Sequence, residues 1–265
     1  MKLEGCNALI TGASAGIGRE FARQLAPRSS SLVLVARRQT RLQQLREELQ
    51  KLNQQLNVHI LAIDLSSKSE IDDLVRWIEQ NKIEIDLLIN NAGLGDIGDF
   101  ATSDRQRNDQ MLLVNIVALT RLTREWLPQM IARKRGAILN VSSSAGFLPI
   151  SEFAVYAASK AYVTSFSEAL RAELRGTGVS VATLCPGPVR TEFGDVAKRS
   201  GEEARTAPEF VYVSVEQVVR ETIAAIESDK PLIIPGAFMK FGMFLVRITP
   251  LPILRLAWRF SAKHR

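Results

Sequence analysis

Short apolar runs alternate with amphipathic stretches through most of this chain, and few folds satisfy that alternation. Cys6–Ile10, Ser31–Ala36, Val58–Ile63, Asp86–Asn90, Ala137–Ser142, Val179–Cys185 and Leu232–Ile234 are too short for helices. They are also too continuously apolar for strands with one wet face. Between them apolar residues return at intervals of three and four, as in Ile17, Phe21 and Leu25, or Leu42, Leu45, Leu49 and Leu52. Continuous apolar strands belong in parallel sheets covered on both sides, and right-handed crossovers put the intervening helices there. The pattern predicts an α/β fold: a single Rossmann-type, doubly wound parallel sheet of about seven strands, flanked by helices on both faces. One long helix is expected from about residue 104 to the basic turn Arg133–Arg135, stopped by Gly136.

Composition removes several function classes. Two cysteines (Cys6, Cys185) and two histidines (His59, His264) provide neither a disulfide framework nor zinc-ligand spacing, so no metal is expected. Reduced thiols, and a first strand that starts at Cys6, predict a cytoplasmic chain without a signal peptide. The net charge is +6, yet Lys240, Arg247, Arg255, Arg259, Lys263 and Arg265 account for all of it, and residues 237–265 hold no acid. The body, residues 1–236, is neutral, which argues against a nucleic-acid partner. The expected organisation is one domain over 1–236 and a basic, apolar extension over 237–265.

The first strand runs into Thr11-Gly12-Ala13-Ser14-Ala15-Gly16-Ile17-Gly18 and then a helix. Glycines at such a junction let backbone approach a pyrophosphate, while the helix N-terminus supplies unpaired N–H groups and positive potential. Gly12, Ser14, Ala15, Gly16, Ile17 and Gly18 are therefore cofactor-binding candidates. At the end of the second strand an acid would select NAD by holding the ribose 2′-hydroxyl. This chain has Ala36-Arg37-Arg38 instead, and guanidinium forks suit a 2′-phosphate. The cofactor expected is NADP(H), with Arg37 and Arg38 in contact; two solvated arginines at a helix start are the plainer alternative.

Tyr156 and Lys160 stand four apart on a predicted helix and share a face. A free phenol has a pKa of about 10, and a neighbouring ammonium is expected to lower it. Ser143 closes the fifth strand, where open α/β sheets bind ligands, and its hydroxyl can donate to a carbonyl oxygen gaining charge. Ser142 and Ser144 are read as neighbours turned the other way by strand alternation.

Taken together, TGASAGIG, Asn90-Asn91-Ala92-Gly93, Asn115, Ser143, Tyr156-x-x-x-Lys160 and Pro186-Gly187 resemble the short-chain dehydrogenase/reductase family over about residues 5–235. The resemblance implies that Tyr156 is the general acid, that Lys160 binds the nicotinamide ribose and lowers the Tyr156 pKa, and that Ser143 orients the carbonyl. It implies that Asn115 holds a water feeding protons to Lys160, against the alternative of an ordinary packing amide. Asp64 and Leu65 would meet the adenine, Asn91, Ala92 and Gly93 would support the adenosine side, and Pro186, Gly187, Val189 and Thr191 would hold the nicotinamide end. A solvated cap for Asp64 and a backbone-stitching turn for the asparagines stay open beside those roles.

Two regions depart from the family pattern. The chain reads Leu232-Ile233-Ile234-Pro235-Gly236 where many members have V-D-G-G, and then continues for about thirty residues. Arg255, Arg259 and Lys263 form one basic stripe beside Ile253, Leu254, Leu256, Trp258 and Phe260. Such a segment suits either the anionic inner surface of a membrane or packing on the body or a partner subunit. The region 192–213 is expected to form a lid. Phe193, Phe210, Tyr212, Phe147 to Ile150 and Leu94 to Phe100 are expected to wall an apolar pocket. The function expected is reversible hydride transfer between NADPH and a hydrophobic or lipidic carbonyl or alcohol, in a homo-oligomer. A catalytically silent NADP-binding sensor or scaffold is the alternative.

Overall fold

The computed structural model describes residues 2–199, 208–250 and 252–254. Seven strands form one sheet: β1 (Cys6–Thr11), β2 (Ser29–Ala36), β3 (Asn57–Ala62), β4 (Leu87–Asn90), β5 (Gly136–Val141), β6 (Val179–Leu184) and β7 (Leu232–Ile233). Their order is β3-β2-β1-β4-β5-β6-β7, and every neighbouring pair is parallel. The chain starts in the middle, winds outward to β3, and returns to β4 on the other side of β1. That reversal opens a crevice at the carboxyl ends of β1 and β4, where doubly wound sheets bind ligands.

Strand alternation divides the core in two. Ala8, Ile10, Leu32 and Leu34 face α1 (Gly16–Leu25), α2 (Gln39–Leu52) and α8 (Val215–Glu227). Leu9, Val33, Val35 and Leu88 face α3 (Lys68–Gln80), α5 (Leu119–Ala132) and α6 (Ala154–Glu173). Of the residues that set the helical period, Phe21, Leu25, Leu42, Leu45 and Leu49 are fully or almost fully buried, whereas Ile17 is half-buried and Leu52, at the end of α2, is exposed.

The long helix expected after residue 104 is not uniform. It runs as α4 (Arg105–Leu112), a π-helical segment (Leu113–Ala118), and α5. α7 (Glu192–Ala197) is a helix in the region read as a lid, where none was expected, and α9 (Ala237–Ile248) opens the extension over 237–265, which was expected to hold a surface or packing helix. α9 begins directly after β7, turned by Gly236 at φ +82, so an apolar helix precedes the basic stripe. Arg255, Arg259 and Lys263 themselves lie outside the described residues, as does 200–207 of the lid.

Three helices end in left-handed residues other than glycine. Lys82, Lys134 and Asp229 have φ of 53°, 51° and 54°, and stand just before β4, β5 and β7. They lie on the rim where strands begin, opposite the crevice.

Inside the sheet β4 and β5 are tied by polar side chains. Asn90 Nδ2 donates to Asn140 Oδ1 at 2.9 Å and to Thr123 Oγ1 at 3.0 Å, while Asn140 Nδ2 donates to Ser167 Oγ at 2.9 Å. A buried polar group that loses its partner costs about 1–3 kcal/mol. Asn140→Leu strands one Asn90 proton and removes a donor from Ser167. Urea denaturation is expected to show a loss of that size, and unchanged stability would mean that the network contributes nothing.

Candidate active site

Because every strand is parallel, the turns after β1, β2, β4, β5 and β6 all open on one rim. The sequence-distant candidates meet there. The glycine turn is pressed against β4: Asn91 Nδ2 donates to Thr11 O at 2.8 Å, and the Asn91 and Ala92 amides both donate to Thr11 Oγ1 at 3.0 Å. A Cβ on Gly18 would come within 2.4 Å of Asn91 Nδ2 and of the Gly12 carbonyl oxygen. Gly12 adds a backbone requirement, with φ +67. These glycines thus serve the internal packing of the turn against β4. Asn91 is here the stitching residue of the alternative reading.

α1 opens at Ala15, which has no side chain able to cap it. The amides of Gly16, Ile17 and Gly18 occupy its first turn, where N–H groups have no acceptor within the helix. Such amides suit an anion. Beside them Arg38 donates through Nη2 to Ser14 Oγ at 3.1 Å and through Nη1 to Glu192 at 2.8 Å. Arg41 also donates to Glu192. The Arg38 and Arg41 guanidiniums hold the Glu192 carboxyl below its usual range. Both Arg37 and Arg38 are exposed, and Arg38 is the one whose side chain is bonded to the turn, through Ser14. Arg41 was missed, although a spacing of three from Arg38 at the start of a helix signals a shared face.

At the far end of the crevice, α6 carries Tyr156 and Lys160. Lys160 Nζ donates to the Val141 carbonyl at 2.8 Å, and Ser142 Oγ donates to the Lys160 carbonyl at 2.7 Å. Ser142 also meets Thr164 Oγ1 at 2.8 Å. The reading of Ser142 as a bystander is corrected: it pins α6 to the end of β5. Ser143 starts a 3-10 turn (Ser144–Phe147) and accepts from the Ala145 amide at 3.1 Å. Ser144 donates its amide to Pro186 O at 2.9 Å.

Burial overrides the expected effect of Lys160 on Tyr156. Lys160 Nζ lies 5.8 Å from the Tyr156 ring centroid, and both residues are buried. Loss of hydration pushes the Tyr156 phenol up to about 12, with a hydrogen-bonding interaction toward Ser143 acting the other way. The same loss pulls the Lys160 ammonium down to about 8. A buried charge is costly, so each group favours its neutral form.

Asn115 lies in the π segment, and its side chain is fully engaged. Oδ1 accepts from the Leu94 amide at 2.8 Å, while Nδ2 donates to Leu94 O at 2.9 Å and to Ser159 Oγ at 3.0 Å. Ser159 Oγ in turn donates to Tyr156 O at 2.7 Å. The side chain therefore clamps the loop after β4 to α6. A Cβ on Gly93 would lie 3.3 Å from Lys160 Nζ, so glycine keeps that approach open.

The outer candidates divide. The Asp64 carboxylate accepts from Ser66 N and Oγ at 2.9 and 2.8 Å, a local turn, and Leu65 is buried in the core. Val189 bridges to Val213. Thr191 caps α7 and stands 3.2 Å from where a Gly16 Cβ would be, which joins the loop after β6 to the glycine turn. Gly187 lies under Met239 of α9. Of the expected pocket walls, Phe193 packs on Tyr156 with centroids 5.4 Å apart, whereas Phe100 and Phe210 are 65% and 67% exposed. Asp96 is no apolar wall at all: it is buried and accepts from Arg199 Nη2 at 2.5 Å, with Arg107 Nε at 3.2 Å.

A glycine turn and an uncapped helix N-terminus on the same rim as a buried tyrosine and lysine and a half-buried serine fit an oxidoreductase working with a nicotinamide dinucleotide. The short chain dehydrogenase family matches residues 6–201, and the chain belongs to that family. It is 39% identical over 217 residues to a sulfoacetaldehyde reductase of Chromohalobacter salexigens, covering 81% of this chain and 83% of that one. It is 31% identical over 245 residues to a very-long-chain 3-oxoacyl-CoA reductase of Anas platyrhynchos, covering 89% and 74%. A short-chain dehydrogenase from Sphingobium yanoikuyae in complex with NADPH has a TM-score of 0.80 and 29% identity, covering 98% of this chain and 96% of that one.

The buried lysine yields a test of the site's electrostatics. Its folded pKa of about 8 lies below the ordinary 10.5, so between those values the unfolded chain binds more protons. Stability should rise with pH across that window. Tyr156 acts oppositely, removing stability as pH climbs above 10. Denaturation of the cofactor-free protein is expected to show wild type gaining on Lys160→Met from pH 8 upward. Parallel pH profiles would contradict the depressed ammonium.

Proposed function

We propose that this chain is an NADPH-dependent carbonyl reductase, reversible in principle, acting on a hydrophobic or lipidic carbonyl or secondary alcohol. The observation that carries the reading is the convergence of Tyr156, Ser143 and Lys160 at the end of β5, reached from the glycine turn along one rim. When bound, the dinucleotide supplies the hydride. The chain's own part is to place the carbonyl and provide the proton. Ser143 donates to the carbonyl oxygen, steadying charge that builds there. Tyr156, with a pKa of about 12, keeps its proton at neutral pH and delivers it to that oxygen. Lys160 is still largely protonated at pH 7, and its cation favours the tyrosinate left behind. Phe193 keeps water from the phenol.

NADPH is favoured over NADH because Arg38 donates to Ser14 beside the glycine turn and, with Arg41, already holds the Glu192 carboxylate. No acid lies between Ala36 and Glu47 to receive a ribose hydroxyl. The relatives' names span a small charged aldehyde and a long acyl chain. Phe193, Phe153 and Met239 around Tyr156 and Gly187 favour the apolar end of that range. A silent sensor would not require a protonated phenol, a serine and a buried lysine together.

Tyr156→Phe removes the transferable proton and leaves the ring. Turnover with NADPH and a ketone panel of rising chain length is expected to fall by at least ~10²–10⁴ while NADPH fluorescence titration is unchanged. Near-normal turnover would refute the role. Losing a charged hydrogen bond costs about 1.5–3 kcal/mol, so Arg38→Ala should weaken NADPH about 10- to 100-fold and leave NADH unaffected. Equal weakening of both would remove Arg38 from the 2′-phosphate site.

A further inference from the structure

Helix α9 has two apolar faces, and among the described residues only one is covered. On its inner side Met243 is buried and Met239 lies against Gly187. On its outer side stand Phe238, Phe241, Phe244, Leu245 and Ile248, each between 44% and 62% exposed. At 100° per residue these five gather on one side, with Lys240 and Arg247 along one margin. Arg247 lies 5.7 Å over the Phe147 ring, and Phe238 meets Phe210 edge-on at 5.0 Å. A helix that is apolar nearly all round is ordinarily buried. Among the described residues nothing covers the outer face beyond that one ring contact.

We propose that the outer face of α9 docks on an anionic lipid bilayer, with the helix lying in the plane of the surface. Length excludes crossing: α9 has 12 residues, and no helix among the described residues is long and apolar enough to span a membrane. Charge selects the occupant. Residues 237–265 carry six bases and no acid. A second copy placed across a two-fold axis through this face would bring Lys240 and Arg247 toward their like, and the sequence after residue 248 adds bases and no acid. A layer of anionic headgroups complements the bases while its acyl boundary takes the phenylalanines. The inner side of the same helix roofs the Pro186–Gly187 turn, so the docked face lies directly behind the substrate end of the crevice.

The test uses the full chain and vesicles of phosphatidylcholine with or without phosphatidylglycerol. The protein is expected to sediment with the anionic vesicles at least about tenfold better than with the neutral ones. It should be released at 1 M salt, where the Debye length shrinks to about 3 Å. The double variant Phe241→Ser/Phe244→Ser should stay in the supernatant with its thermal melt unchanged. If that variant misfolds, Phe244→Ser alone is expected to show at least a several-fold loss. Sedimentation of the variant equal to wild type, or no wild-type sedimentation with anionic vesicles, overturns the proposal. So does a dimer, seen by ultracentrifugation without vesicle binding, that the double variant abolishes; that result gives the face to a second copy. None of these readouts depends on the cofactor or the reaction.

Discussion

The site depends on where one ammonium is held. Lys160 Nζ donates to the last carbonyl of β5, and Ser142 at the same strand end grips the backbone of Lys160. Two bonds between one strand end and one residue set both the height and the rotation of α6. Tyr156 then follows, one turn earlier on the same face, and meets Ser143, the residue after Ser142. Burying the amine is unfavourable in itself, which is why its proton affinity falls. Had the same lysine pointed to water, the helix would lose this anchor to the sheet.

The clamp around Asn115 extends that placement to the other half of the sheet. In a regular helix an amide competes poorly with neighbours that have higher helical propensity. Here it sits in a π segment, and its side chain holds both backbone groups of Leu94 while Ser159 links it to α6. π segments are seldom retained without a local reason. The loop after β4 therefore cannot shift without moving the helix that bears the phenol.

Local patterns and long-range pairings were not equally legible in the sequence. Strand runs such as Ser31–Ala36 and helical repeats such as Leu42, Leu45 and Leu49 are local, and their placement in β2 and α2 follows from period alone. The ring of site residues was legible because parallel strands send all their carboxyl ends one way. The π turn was not, since nothing in Leu113–Ala118 distinguishes it in composition from ordinary helix. The cluster of Asp96, Arg107 and Arg199 joins residues 103 apart in sequence, and no local spacing announces it. The proton affinity of Tyr156 was misjudged for a related cause. A neighbouring cation is visible as a spacing of four, whereas the loss of water that outweighs it comes from α6, Phe153 and Phe193 together.

The left-handed helix ends at Lys82, Lys134 and Asp229 complete the contrast between the two rims of the sheet. A β-carbon in that conformation is tolerated at the cost of some strain, and none of the candidate site residues stands at these corners. One rim thus carries the chain-reversal work together with ion pairs of its own, such as Arg171 on Asp229 and Arg135 on Asp86, while the other carries the side chains of the site. Grafted peptides, fluorescent tags or new chain termini introduced at these three corners would leave the reacting geometry intact. The same additions after Thr11, Asn90 or Val141 would dismantle it.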